Sequence, residues 1–162
     1  MATAGKNLSD YDKSLLPDVS GMRFGLVVSE WNAQITEALF LGAKEVLLDC
    51  GVSASHIIRW NVPGSFELPY GCSKLIKQEK PDAVIAIGSI IRGETAHFDF
   101  VCQATSMGIK DLNLQQDVPV IFCVLTDDTL QQSVDRSGGR YGNKGSEAAV
   151  AAIKMATLGA AR

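Results

Sequence analysis

Histidine is the scarcest chemistry-bearing residue of this 162-residue chain: there are two, His56 and His97. Neither stands in a cluster of further cysteine or carboxylate ligands, so no metal centre and no metal cofactor are expected. The four cysteines, Cys50, Cys72, Cys102 and Cys123, form no C-x-x-C pair. That excludes a zinc ribbon and a dithiol redox motif, and it leaves them as small apolar residues of a reducing compartment. No apolar run nears the roughly 18 residues needed to cross a bilayer, so no membrane partner is expected. No basic block occurs either. The 15 lysines and arginines are mixed among 18 aspartates and glutamates, for a net charge of -3, which argues against nucleic acid as a partner. Residues 1–20, "MATAGKNLSDYDKSLLPDVS", lack the apolar core of a signal peptide and carry aspartates that a transit peptide avoids. They read as a flexible polar arm, with Tyr11, Leu15 and Leu16 as the side chains able to dock, and the expected compartment is the cytoplasm.

Three phosphate and nucleophile signatures are also missing. No G-x-G-x-x-G follows the first strand-like run, no G-x-x-x-x-G-K-[ST] occurs, and no serine sits in a nucleophile elbow. These gaps argue against a dinucleotide-binding fold, a P-loop and an α/β-hydrolase.

What is present is a pattern. Hydrophobic residues make up 46% and charged residues 20%, enough apolar material for one domain, taken as residues 21–162. Four apolar, β-branched runs read as strands: Arg23 to Val28, Ile57 to Val62, Ala83 to Ile91 and Val118 to Thr126. A helical pattern follows each. After the first, Ile35, Leu39, Ala43, Val46 and Leu47 keep one face apolar, and Gly51 marks the stop. After the second comes "FELPYGCSKLIKQEK", with Pro69 tolerable in its first turn. After the third comes a longer helix from His97 to Leu114. After the fourth come a short "TLQQSVDRS" and an alanine-rich helix from Asn143 to Leu158. The glycine-rich "SGGRYGNKG" (Ser137 to Gly145) reads as a helix-helix connection. Strand and helix alternating four times, with a final extra helix, predict an α/β fold: a three-layer α/β/α sandwich on a four-stranded, mainly parallel sheet of flavodoxin-like order, with helices on both faces.

Ligands of open α/β sheets gather beyond the carboxyl ends of the strands, and the unusual residues collect there. Trp31 follows the first strand, "VPGSFELP" the second, "GSIIRGETAHFDF" the third, and the fourth ends in "LTDDT". From spacing alone Trp31 reads equally as a cap over the core or a ring-stacking platform. Phe122 alternates into the core unless the strand edge is open. Glu67 fits a first helical turn, Thr95 a helix cap, and Arg92 a surface ion pair. Arg136 and Lys144 read as ordinary surface residues. His97, at a strand-to-helix junction beside Gly93 and Thr95, is placed where backbone amides face an anion.

Six stretches carry a resemblance: "WNAQIT" (Trp31 to Thr36), "VPGSFELP" (Val62 to Pro69), "GSIIRGETAHFDFV" (Gly88 to Val101), "PVIFCVLT" (Pro119 to Thr126), "DRSG" (Asp135 to Gly138) and "GNKGSEAA" (Gly142 to Ala149). Together and in this order they resemble lumazine synthase, over about Met22 to Leu158. The resemblance implies that 5-amino-6-(D-ribitylamino)uracil condenses with 3,4-dihydroxy-2-butanone 4-phosphate to 6,7-dimethyl-8-ribityllumazine, without a cofactor. It implies that Trp31, Ser65, Phe66, Glu67, Ser89, Ile90, Ile91 and Phe122 bind the pyrimidine. It implies that Gly93, Glu94, Thr95 and Arg136 hold the phosphate substrate, that His97 donates the proton, and that Lys144 lies nearby.

The resemblance further implies a homopentamer whose active sites lie between adjacent subunits, with Phe122 and Arg136 given by the neighbour. It also implies assembly of pentamers into a 60-subunit icosahedral shell, with riboflavin synthase as a companion. Five positions depart from the family's common residues: Trp31 for phenylalanine, Cys123 for glycine, Asp135 and Ser137 in "DRSG" for "ERAG", and Glu94 for a small residue. A carboxylate beside a phosphate is repulsive, so Glu94 is expected to offer its backbone and turn its side chain away. A non-catalytic lumazine or flavin carrier, or a purely structural shell protein, is the alternative on the same fold.

Overall fold

The computed structural model describes residues 7–159. Four parallel strands form the central sheet: β1 (Phe24–Ser29), β2 (Ile57–Val62), β3 (Ala83–Ile91) and β4 (Val120–Asp127), in the order β2-β1-β3-β4. Five helices surround it: α1 (Ala33–Asp49), α2 (Leu68–Glu79), α3 (His97–Gln115), α4 (Leu130–Arg136) and α5 (Lys144–Ala156). This is the three-layer, flavodoxin-like sandwich that the alternation of elements predicts.

The layers follow from side-chain alternation along the strands. Phe24, Leu26 and Val28 of β1 and Ile85 and Ile87 of β3 face one way, onto Leu39, Leu47, Ala149 and Ile153 of α1 and α5. Val27, Val84, Ala86, Val120 and Val124 face the other way, onto Leu68, Leu75, Ile109 and Leu112 of α2 and α3. With both faces covered, every residue of β1 is buried, which is why these strands read as unbroken apolar runs.

Small residues set how closely α1 and α5 pack. A Cβ added at Gly145 would lie 1.9 Å from the Leu39 carbonyl oxygen, and one at Gly42 would run into the Asn143 side chain. Ser146 Oγ donates to the Gly42 carbonyl across the same seam at 3.3 Å.

One strand boundary is corrected, and two other local expectations gain detail. The fourth strand begins at Val120, not Val118. Pro119 has no N–H to give a ladder, and the Asn113 side chain instead brackets Val120, accepting from its N–H at 2.9 Å and donating to its carbonyl at 2.8 Å. The Ser137 to Gly145 connection contains a small antiparallel hairpin, β5 (Ser137–Gly139) and β6 (Gly142–Asn143). Gly138 and Gly142 adopt the left-handed backbone that its tight turn demands.

The described part of the arm, residues 7–20, is docked through a few side chains, Tyr11 and Leu16 among those expected, whereas Leu15 stays 76% exposed. Val19 is buried in the α1/α5 core, with Tyr11 and Leu16 packed against it. The Tyr11 hydroxyl donates to Asp49 at 2.8 Å, and the Leu8 N–H donates to the Tyr141 carbonyl at 2.8 Å. The apolar side chains spaced along this polar stretch are what hold it down. The rest of the predicted arm lies outside the described residues.

The cysteines behave as small core residues: Cys72 and Cys123 are buried, and Cys50 and Cys102 are half-buried. Burial pushes both buried thiols up, Cys123 to about 12, so neither is a nucleophile at neutral pH.

Candidate active site

A cleft of about 320 Å³ opens at the carboxyl ends of β1, β2 and β3. It is lined by Trp31, Ser65, Phe66, Glu67, Ser89, Ile90, Ile91, Gly93, Thr95 and His97, and its floor is completed by Gly64, Phe98 and Val101. The sequence expectations for β1 to β3 therefore converge on one place.

The register explains why the cleft exists. Pairing of β3 with β1 stops at Ile87, whereas pairing with β4 continues to Ile91. Past Ile87 the β1-facing edge of β3 has no strand beside it, because the chain after Ser29 turns away through Trp31. Asn32 makes that turn in the left-handed backbone, φ 58°. Its side-chain amide caps the Ser89 carbonyl at 2.9 Å instead of capping α1. Alternate residues of a parallel strand direct their backbone groups to opposite neighbours, so Ile91, like Ser89, faces the vacated side. An edge strand of this kind offers a flat ring one row of backbone donors and acceptors.

The walls are of two kinds. Trp31 and Phe66 project as aromatic surfaces, 74% and 60% exposed, where a folded chain normally hides such rings. Trp31 is held only through its backbone, its N–H donating to the Pro63 carbonyl at 3.2 Å. Two hydroxyls of the lining, Ser65 Oγ and Ser89 Oγ, are buried, and neither has a hydrogen-bond partner among the described residues. Buried unpaired hydroxyls are costly unless a ligand completes them. Ser65 is held in place because Thr105 Oγ1 donates to its carbonyl at 3.2 Å, and because Gly88 leaves it room: a Cβ there would lie 2.5 Å from Ser65 Oγ.

The third side is the stretch Arg92 to His97. Arg92 is the ion-pair residue that the sequence allowed. Its guanidinium bonds Asp128 at 2.7 Å and Asp99 at 3.1 Å, and it lies over the Phe98 ring at 4.1 Å. It thereby ties the first turn of α3 to the end of β4. Asp99 is engaged by Arg92 and has no recorded bond to His97. Thr95 Oγ1 accepts weakly from the His97 N–H at 3.4 Å. The His97 side chain is exposed at the cleft. Glu94 is also exposed and does not line the cleft, whereas Gly93 and Thr95 on either side of it do.

Three predicted site residues lie elsewhere in the chain. Phe122 stands on the open edge of β4, 38% exposed. Arg136 and Lys144 line a separate hollow with Leu8, Val124, Leu125, Thr126 and Asp127. No lysine or arginine lines the His97 cleft among the described residues. No group of three or more histidine, cysteine or acidic side chains among them is placed to hold a metal ion. Asn32 and Thr105 were not singled out from sequence. Asn32 carried a usable signal, an asparagine at a strand-to-helix turn where left-handed backbone is tolerated. Thr105, mid-helix, carried none.

Comparison with known proteins gives one consistent result. The model of the family described as 6,7-dimethyl-8-ribityllumazine synthase matches residues 21–160. A protein of that name from Flavobacterium johnsoniae is 65% identical over 98% of this chain and 83% of its own length. One from Christiangramia forsetii is 60% identical over 98% of this chain and 95% of its own. One from Parabacteroides distasonis is 54% identical over 99% of this chain and the whole of its own length.

Proposed function

The chain belongs to the 6,7-dimethyl-8-ribityllumazine synthase family, and on that premise we propose that the cleft between Trp31 and His97 is where its two substrates meet. The chain is a transferase. It condenses 5-amino-6-(D-ribitylamino)uracil with 3,4-dihydroxy-2-butanone 4-phosphate, releasing phosphate and water, in the penultimate step of riboflavin biosynthesis. The amine and the ketone form an imine, phosphate is eliminated, and the ring closes onto the ribityl-bearing nitrogen. The work asked of the protein is positioning, proton transfer and stabilisation of a departing anion.

The pyrimidine lies along the open edge of β3 and reads the backbone of Ser89 and Ile91, while Ile90 meets it through its side chain. Trp31 stacks on its face. Ser65 and Ser89 supply the hydroxyls that lack partners among the described residues, Phe66 lies along the ring, and Glu67 accepts from the ribityl hydroxyls. Gly93, Glu94 and Thr95 present backbone to the phosphate-bearing substrate, and the exposed Glu94 side chain points to solvent. His97, between the two, donates the proton.

The observation that carries this reading is the cleft's missing cation. A phosphate dianion requires one, and Arg92, in the turn between β3 and α3, is engaged by Asp99 and Asp128. Arg136 and Lys144 lie on the opposite flank with Phe122, each beside an acidic partner of its own, Asp127 at 3.9 Å and Glu147 at 2.7 Å. A neighbouring copy that presents this flank to the cleft completes the site: Arg136 binds the phosphate and stabilises it as it leaves, Lys144 adds charge, and Phe122 closes the heterocycle site. The active assembly is then a ring of subunits. We assign it to a pentamer, with twelve pentamers forming a shell, in the cytoplasm, beside the riboflavin synthase that consumes the product. The compact hairpin of residues 137–143 supports the shell.

The test mixes the purified protein with both substrates and follows lumazine fluorescence and released phosphate together. Equal appearance above the uncatalysed background is expected. Tight pyrimidine binding without turnover would move the chain to the carrier alternative.

A further inference from the structure

We propose that Asp127 is a positioning residue that aims Arg136 at the phosphate. This rests on the phosphate role of Arg136 stated above and adds the device that makes it effective. Asp127 is the last residue of β4, and its carboxylate is buried. A buried carboxylate needs partners on both oxygens. Ser133 Oγ, itself fully buried on α4, donates to Oδ2 at 2.8 Å. Oδ1 faces Arg136 Nη1 at 3.9 Å. Nη1 also donates to the Gln132 carbonyl at 2.9 Å, and the guanidinium carbon lies 5.2 Å from the centre of the Tyr141 ring.

All these polar anchors use one corner of the guanidinium. No described residue accepts a hydrogen bond from Nε or Nη2. These two form the edge with parallel donors that matches a phosphate bidentately. A flexible arginine on the rim of a subunit would sample many rotamers, and ordering it on binding would weaken affinity. The Ser133–Asp127 pair fixes a negative charge on the inner side, so the free edge faces outward. The Asp127 carbonyl also accepts the Arg92 N–H at 3.0 Å, which extends the β3–β4 ladder by one bond.

The experiment measures steady-state kinetics of the assembled enzyme with each substrate varied in turn. Asp127→Asn keeps the shape and an acceptor for Ser133 but removes the charge. It should raise KM for the butanone phosphate about five- to tenfold, leave KM for the pyrimidine unchanged, and change kcat by less than about twofold. In an Arg136→Ala background the same substitution should have no further effect, because Asp127 acts only through that side chain. Ser133→Ala, which keeps the charge but releases the clamp, should raise the same KM by a smaller factor. It carries the test by itself if Asp127→Asn does not assemble.

The inference is overturned if Arg136→Ala raises the phosphate KM while neither Asp127→Asn nor Ser133→Ala does. It is also overturned if the Asp127→Asn effect persists without Arg136. An unchanged phosphate KM in Arg136→Ala is a different result: it removes the phosphate role of Arg136 itself, and the positioning role falls with it.

Discussion

Replacing Trp31 by alanine separates binding from folding. The side chain is 74% exposed, so most of the roughly 150–250 Å² that a buried aromatic removes from water is still available to a ligand. A heterocycle stacked on one face covers about half of that remainder, on the order of 55–95 Å². At ~25 cal/mol per Å² this amounts to about 1.4–2.4 kcal/mol, within the range of about 1–3 kcal/mol found when base-stacking aromatics are truncated. Trp31→Ala should therefore raise KM for the pyrimidine about 10- to 60-fold. The phosphate substrate's KM should stay where it is. Folding stability should change by less than about 1 kcal/mol, since the ring is anchored only through its backbone. Trp31→Phe, which keeps a ring, should lose much less. Paired substrate titrations and a thermal melt give all three quantities. A pyrimidine KM within about twofold of wild type, in a variant that melts normally, would refute the stacking role.

Two further outcomes probe the frame around the site. Gly145→Ala places a Cβ against the Leu39 backbone, so α1 and α5 must part. A loss of about 2 kcal/mol or more is expected, or roughly 4–8 °C in Tm, and an unchanged Tm would show that this close approach is not a constraint. Tyr11 is held up to about 12, first by burial and then by its hydrogen bond to Asp49 and that group's charge. A pKa raised on folding stabilises the docked arm in full below the ordinary tyrosine value and loses that contribution as pH rises through the folded one. The arm should therefore loosen between about pH 10 and pH 12. Phenolate absorbance should show one late-titrating tyrosine that Tyr11→Phe removes, and a wild-type titration indistinguishable from the variant's would contradict the tether.

The β-α alternation was legible because the two central strands are buried on both faces, as the unbroken runs in Phe24–Ser29 and Ala83–Ile91 declare, while the edge strands β2 and β4 keep exposed positions. The site was legible where chemistry and chain order coincide. Trp31, Ser65 to Glu67 and Ser89 to His97 all sit at strand ends, and the sheet brings strand ends together. What escaped notice was set by contacts between distant residues. Nothing local in Tyr11 to Val19 announces that Val19 enters the core, that Asp49 is the partner of Tyr11, or that Leu16 docks while Leu15 stays exposed. The bracket of Asn113 on Val120 displaces the start of β4 by a side-chain interaction that propensity does not see. Asp127 looked like one of two loop acids in "LTDDT". Only the fold sends its carboxylate inward to Ser133 and Arg136 while Asp128 turns outward to Arg92.

The central claim is that each cleft borrows its cation from another subunit, and subunit mixing tests it directly. His97→Ala and Arg136→Ala should each be strongly impaired, though measurable, when assembled alone. Co-assembled in equal amounts, they should recover about one quarter of wild-type activity, because a cleft works when it combines an intact His97 from one variant with an intact Arg136 from the other, each present at even odds. Mixed assemblies that remain as impaired as the two parents would place both residues in one subunit's site and contradict the account.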